Sequence, residues 1–361
     1  MGHPRGMTGK QRLSTAEHES AAPLLRRVRR LTAGLVHHRA PTWSADGRRL
    51  AFLIGEGESA HWVVTDRKGR LARVLGGSAE GRASFAPDGS LAYGRSVGAT
   101  REIWLLPALS GLSESGAAGT GRRLLGGDGR LYCDPAFSPD GRYLAYVADD
   151  GQPGTARRLW TLDLQTEEHR LLVASLPGPD TPSWLAHPAW SPQGSALYFE
   201  ARTSSGEAVF VLPLKSPLQA SVGSPRRLTE GGHHHPAPLS DQAVLCERRR
   251  ADGGGELVLL EHGFAQAKAD GDEAAGVRQT PLRFDKAGDV FDGRMYDPAV
   301  VCGKRGCWLA FASPSQRSEK EPSRSDLFAA RVQGLGGLHL LHLKRSQAAR
   351  SGSRHTGAET P

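Results

Sequence analysis

Short apolar runs recur along this chain at wide intervals, and the same polar turn precedes most of them. In the best-kept copy, Asp134-Pro135-Ala136-Phe137 passes through Ser138-Pro139-Asp140-Gly141 into Tyr143-Leu144-Ala145-Tyr146. Pro135 suits the opening of a strand, where no ladder N–H is required. Ser138 and Asp140 can bond nearby backbone N–H groups, and Gly141 accepts a positive φ, so the segment predicts two strands around a tight reversal. The aromatic and aliphatic run after the turn is of strand type.

Copies follow at Pro41-Thr42-Trp43-Ser44-Ala45-Asp46-Gly47, Ala83-Ser84-Phe85-Ala86-Pro87-Asp88-Gly89 and Pro188-Ala189-Trp190-Ser191-Pro192-Gln193-Gly194. More worn ones start at Pro236 and Pro298. The six starts, at 41, 83, 135, 188, 236 and 298, are separated by 42, 52, 53, 48 and 62 residues. Each repeat also holds a third apolar segment: His61–Val64, Glu102–Leu106, Arg158–Leu162, Ala208–Leu212, Glu256–Leu260 and Asp326–Ala329. Arginine-bearing runs such as Arg122–Leu125, His169–Leu172, Pro225–Thr229 and Val28–Thr32 read as outer strands, whose charge blunts an exposed edge.

About four short strands per repeat at this period predict an all-β, six-bladed β-propeller. Length alone would suggest two or three domains for 361 residues. A single blade cannot bury its own faces, however, so the repeats imply one domain over residues 28–343. Trp43, Phe85, Phe137 and Trp190 share one repeat position, while Trp62, Trp104, Trp160, Phe210 and Phe328 share another. Packing between sheets accounts for them, and no cofactor is called for.

The formal charge of +8 resembles a nucleic-acid signal until it is located. Residues 1–30 hold seven basic and two acidic residues, and residues 344–361 hold four and one. The excess therefore sits in the tails, which read as disordered basic segments over 1–27 and 344–361, with no nucleic-acid arm. No apolar run approaches a membrane span, and no secretory signal precedes the repeats.

The Pro-x-(Trp/Phe)-Ser-Pro-Asp-Gly hairpins, followed by Leu-Ala-(Phe/Tyr), resemble the propeller repeat of TolB and its relatives. The same repeat builds the propeller of prolyl oligopeptidase-type enzymes. The resemblance covers residues 28–343 and implies a TolB-type propeller that binds protein partners in the periplasm or cell envelope. This chain shows no signal peptide, which either a lost or misassigned start or direct use in the cytoplasm would explain. TolB's separate N-terminal domain has no counterpart in the residues before 28. The peptidase relatives need a Gly-x-Ser-x-Gly elbow, which does not occur here, and only 18 residues follow 343.

An enzymatic alternative comes from oligogalacturonate lyases, which resemble this propeller and hold a metal near the pore through His and Gln. Here His233-His234-His235 lies before one repeat and His187 before the preceding one. The spaced ligand pattern of a metal centre is absent, so a polar cluster without metal is expected.

Cys302 and Cys307 flank the turn of the sixth hairpin, where two Cβ atoms can come within bonding range. A disulfide there suits export, and free thiols suit the cytosol. Cys133 and Cys246 are expected to be free. Ring closure has two contenders for the outer edge of the sixth blade, the N-terminal Val28–Thr32 and the C-terminal Leu338–Leu343; the first is favoured.

Residues just before each repeat start should encircle one rim of the channel: Ala40, Arg82, Asp134, His187, His235 and Asp297. Two adjoining loops carry bulk, with Trp184 in one and Phe291, Met295 and Tyr296 in the other. Capping of strand ends explains the polar groups most simply. Aromatic anchors beside mixed charges are also what a protein-binding patch uses. The reading is thus a monomeric, non-catalytic scaffold that binds protein through Arg82, Asp134, Trp184, His187, His235, Phe291, Tyr296 and Asp297, without cofactor or metal. A pore-centred lyase is the alternative.

Overall fold

The computed structural model describes residues 24–32, 37–108, 121–149, 151, 155–176, 184–214, 224–263, 276–284, 294–303, 306–314 and 325–333. The contending segment Leu338–Leu343, Phe291 and both predicted tails apart from Leu24–Arg27 lie outside them.

Each expected hairpin forms and is extended outward by its third and fourth strands. Blade 1 runs His38–Trp43, Arg49–Ile54, His61–Asp66 and Leu71–Leu75. Blade 2 is Ala79–Phe85, Leu91–Val97, Thr100–Leu106 and Arg122–Leu125. Blade 3 is Tyr132–Phe137, Tyr143–Ala148, Arg158–Asp163 and His169–Val173. Blade 4 is Trp184–Trp190, Ala196–Thr203, Gly206–Pro213 and Arg226–Arg227. Blade 5 is His233–Ser240, Ala243–Arg249, Gly255–His262 and Val277–Pro281. Strands pair antiparallel in chain order within each sheet.

The turn chemistry works as the residue types demand. In blade 3, Ser138 Oγ accepts from the Tyr143 N–H at 2.9 Å and donates to Asp140 Oδ1 at 2.5 Å. Gly141 has φ +74, which only glycine adopts without strain. The same Ser–Asp pair recurs in blade 1 through Ser44 and Asp46.

Blade 6 contains Tyr296–Gly303, Gly306–Pro314 and Ser325–Gln333, and its fourth strand is the N-terminal Leu24–Arg30. This strand begins four residues before the expected Val28 because Leu25, 1% exposed, fits the core between blades 5 and 6. Leu24 pairs with Gln333 and Arg30 with Phe328 across an irregular register between Arg26 and Arg29. The Arg30 guanidinium binds the buried Asp326 carboxylate, and Leu31 donates its N–H to Leu327 O at 2.8 Å. Arg283–Phe284 then pairs parallel with Leu24–Leu25 on the far side. The ring is therefore closed by strands from opposite ends of the sequence, and the edge beside Ser325–Gln333 is filled.

Between neighbouring blades lie six apolar clusters, one at each junction, among the described residues. Trp62, Tyr198, Phe199, Phe210, Phe311 and Phe328 are fully buried there, each stabilising the fold by about 1.5–3 kcal/mol. Trp62 also donates its indole N–H across a junction to Gly94 O at 3.1 Å, and Trp190 donates to Ala136 O at 3.0 Å. Each of these two indole N–H groups thus meets a carbonyl of a neighbouring blade.

Candidate functional site

The innermost strands share one irregularity that aims side chains at the channel. Every one of them carries a register shift within its first six residues, as between Cys133 and Ala136 or between His234 and Ala237. At the shift, Ala40, Asp134, His187, His235 and Asp297 adopt φ of 49–54°. In blade 2 the shift is larger and Gly81, just before Arg82, takes the positive φ of 68°. Non-glycine residues in this region cost on the order of 1 kcal/mol or more each, so five at one rim are held there by their surroundings.

Carboxylates do the holding, and each reaches from one blade to the next. Asp134 Oδ2 of blade 3 accepts the His187 N–H of blade 4 at 3.2 Å. Glu200 of blade 4 accepts the His235 N–H of blade 5 at 3.1 Å. Glu247 of blade 5 accepts the Asp297 N–H of blade 6 at 3.2 Å. Asp297 completes the series by accepting the Ala40 N–H of blade 1 at 3.1 Å. Each acid thus satisfies a backbone donor that the register shift has freed from the ladder.

The imidazoles complete the network. His187 Nδ1 lies 2.9 Å from Glu200 Oε2, and His234 Nδ1 lies 3.1 Å from Glu200 Oε1. His235 Nδ1 sits between Asp297 Oδ1 at 2.9 Å and Glu247 Oε2 at 3.1 Å. Arg82 reaches Asp297 Oδ1 at 2.9 Å from blade 2. Burial alone would lower the His235 pKa, but the Asp297 charge and hydrogen bonds donated to Asp297 and Glu247 raise it to about 9. Burial would likewise raise Asp297, yet His235 and Arg82 hold it well below the ordinary carboxylate range. Glu200 is also held low, because hydrogen bonds from His187 and His234 outweigh its burial.

Of the predicted site residues, Arg82, Asp134, His187, His235 and Asp297 converge. The His187 and His235 rings stand 4.6 Å apart, and Trp184 meets His187 edge-on at 6.0 Å. Tyr296 is half-buried, packed against the cluster between blades 6 and 1, and its ring also lies beside Gly255 of blade 5. Met295, expected in an exposed loop, is 1% exposed in the blade 5–6 core, drawn in as its N–H bonds to Gly255 O. The expectation named His234 within the polar histidine cluster but missed Glu200 and Glu247. Glu200 and Glu247 occupy the repeat position that holds Leu53, Gly94, Val147 and Ala312 in the other blades. An acid at an otherwise uncharged strand position, in two successive repeats, was the available signal.

Below the rim lies a cavity of about 250 Å³ lined by Arg82, His187, Trp43, Phe137, Trp190 and the strand prolines. It meets a second cavity of about 250 Å³ at the turn end, walled by Phe85, Pro87, Pro139, Leu239 and Val301. The channel is therefore polar at one mouth and apolar at the other.

His187, Glu200 and His235 offer donor atoms within 4.8 Å of one another, a spacing a metal ion can bridge. In this structure the Glu200 oxygens accept from His187 Nδ1, His234 Nδ1 and the His235 N–H.

No protein-family model matches the chain. A stretch of 132 residues, 35% of the chain, is 30% identical to YuxL of Bacillus subtilis (strain 168), named as an uncharacterized peptidase. That stretch spans only 18% of the Bacillus protein. TolB of Acinetobacter baumannii is similar in structure over 74% of this chain and 58% of its own, with a TM-score of 0.52 and 19% identity. The fold is a TolB-type six-bladed β-propeller. A calcium-binding regucalcin of Agrobacterium tumefaciens is similar to this propeller over 85% of the chain and 94% of its own, with a TM-score of 0.51 and 12% identity. At these identities the likeness is one of fold, on which many activities are built.

Proposed function

We propose that this TolB-type propeller is a non-catalytic binding module of the cell envelope, and that it engages a protein partner through the rim bearing the register shifts. The observation that carries the reading is the use of the rim acids. Asp134, Glu200, Glu247 and Asp297 each hold a backbone N–H of the next blade, and three of them also bind imidazoles. Groups committed in this way fix a surface and are poorly placed to turn over a substrate. Half-buried Trp184 and Tyr296 border the same rim, where aromatic bulk beside mixed charge suits protein recognition. A disulfide links Cys302 and Cys307, which suits an oxidising compartment.

Partner capture from the source organism tests the reading. Changing Trp184 and Tyr296 to Ala together, with folding verified by melting, is expected to weaken capture about tenfold, or roughly 1.4 kcal/mol. Undiminished capture by the folded double variant would move the site elsewhere.

A further inference from the structure

One buried histidine away from the rim has its proton placed by its partners. Arg226 donates from Nη2 to His262 Nδ1 at 2.7 Å. A guanidinium has no acceptor, so Nδ1 offers its lone pair and the ring proton sits on Nε2. Nε2 lies 2.9 Å from the Tyr198 hydroxyl, which donates in turn to Ser240 O at 3.1 Å. The chain from Arg226 through His262 and Tyr198 to Ser240 thus has a donor and an acceptor at every step, with the imidazole neutral. His262, Tyr198 and Ser240 are all buried. Burial, and then the Arg226 charge, push the His262 pKa down to about 4.

The chain joins blade 4 to blade 5. Arg226 belongs to the outer strand of blade 4 and Tyr198 to its second strand, whereas Ser240 and His262 end the first and third strands of blade 5. That outer strand has two residues, against four or five in blades 1, 2, 3 and 5. Its ladder pairs are Phe210 with Arg227 and Val211 with Arg226. The Leu228 N–H on Val209 O at 2.8 Å and the Val209 N–H on Thr229 Oγ1 at 3.0 Å extend them. An edge with so short a ladder leans on its side chains, and the bond from Arg226 to His262 ties it to blade 5.

A second proton on His262 removes the acceptor and sets an imidazolium against the guanidinium. Among the described residues, the other charges near the ring are Asp241, which acts on Tyr198 from the blade 5 turn, and Glu261 with its ladder partner Arg278, which project from the opposite face. Arg227 turns instead to Ser205 and the Glu230 carbonyl. The rim responds at a different pH, because Glu200 and Asp297 are held well below the ordinary carboxylate range.

We infer that His262 is an acid-sensitive latch between blades 4 and 5: neutral, it holds the outer strand of blade 4 through Arg226, and protonated, it releases that strand while the rim stays closed. The latch is independent of what the rim binds. Its contribution is full above about pH 6.5 and is lost as pH falls toward about 4.

Amide hydrogen exchange on the full chain between pH 7 and pH 4, corrected for the intrinsic pH dependence of exchange, tests the latch. The Leu228 N–H reports on the outer strand, and the His235 and Ala40 N–H groups, held by Glu200 and Asp297, report on the rim. Protection at Leu228 should fall tenfold or more by pH 4 while His235 and Ala40 keep theirs. His262→Gln retains an acceptor and a donor but takes up no proton. If it melts like the parent at pH 7, it should keep Leu228 protected at pH 4. Ring ¹⁵N shifts give a separate test on the unaltered protein: His262 should be neutral and protonated on Nε2 at pH 6, and should titrate in step with Leu228 exchange. An imidazolium at pH 6, or Leu228 still protected at pH 4, would overturn the latch. So would loss of protection at all three amides together, or the same loss at Leu228 in the folded His262→Gln variant.

Discussion

His235 is the residue on which most of the rim depends, since one ring nitrogen stands between carboxylates of blades 5 and 6. Its pKa is raised to about 9, above the ordinary histidine value. Such a shift contributes stability that is fully present below about pH 6.5 and is lost as pH rises through about 9. Asp297 acts with the opposite sign, contributing above the ordinary aspartate value and losing that contribution as pH falls toward its depressed pKa. Urea unfolding near pH 6 and near pH 9.5 checks the alkaline limb. The protein should lose about 1–3 kcal/mol between them relative to His235→Gln, and parallel profiles would contradict the pairing. The rim position of His235 was legible in the sequence, because repeats superpose residues preceding equivalent prolines. Its partner Glu247 was not, because a carboxylate inside an apolar strand declares itself only once the neighbouring blade is placed against it. Glu200 was hidden for the same reason.

At the level of elements, hairpins and third strands were legible because turn chemistry and apolar runs are local. Closure was less so, since Leu24–Arg30 meets Ser325–Gln333 across nearly the whole chain. Two candidate strands carried similar patterns, and Leu25 decided the start by filling the core at the blade 5–6 junction. Removal of residues 1–33 exposes Leu25 and Val28 as well as the edge. It should lower the melting temperature by about 10 °C, given about 1.5–3 kcal/mol per buried aliphatic residue and some 2–4 °C per kcal/mol at this size. An unchanged melt would show that the edge is held otherwise. Cys302 and Cys307 pair directly across their hairpin with Cα atoms 4.1 Å apart, while Cys133 and Cys246 are free and buried. So short a loop removes little unfolded-state entropy, and the bond adds about 1–2 kcal/mol. Alkylation of the unfolded protein without reductant, read by intact mass, should label two thiols. Labelling of four would exclude the disulfide.

Across the whole molecule, the ring is tied together twice. Apolar clusters fill the six junctions, and on the rim acids from blades 3, 4, 5 and 6 clasp the blades that follow. The clasp fixes the positions of Arg82, His187 and His235 around one mouth of the channel, and the turn end is left apolar. The two faces thus differ in chemistry, and the account assigns binding to the polar one. The most direct test is a paired capture experiment with folded variants of each face. Trp184→Ala with Tyr296→Ala alters the polar rim, and Pro139→Glu with Gln193→Glu alters the exposed turns at the other mouth. The account predicts partner loss of about tenfold or more for the first pair and none for the second. Loss confined to the turn-face pair would contradict it.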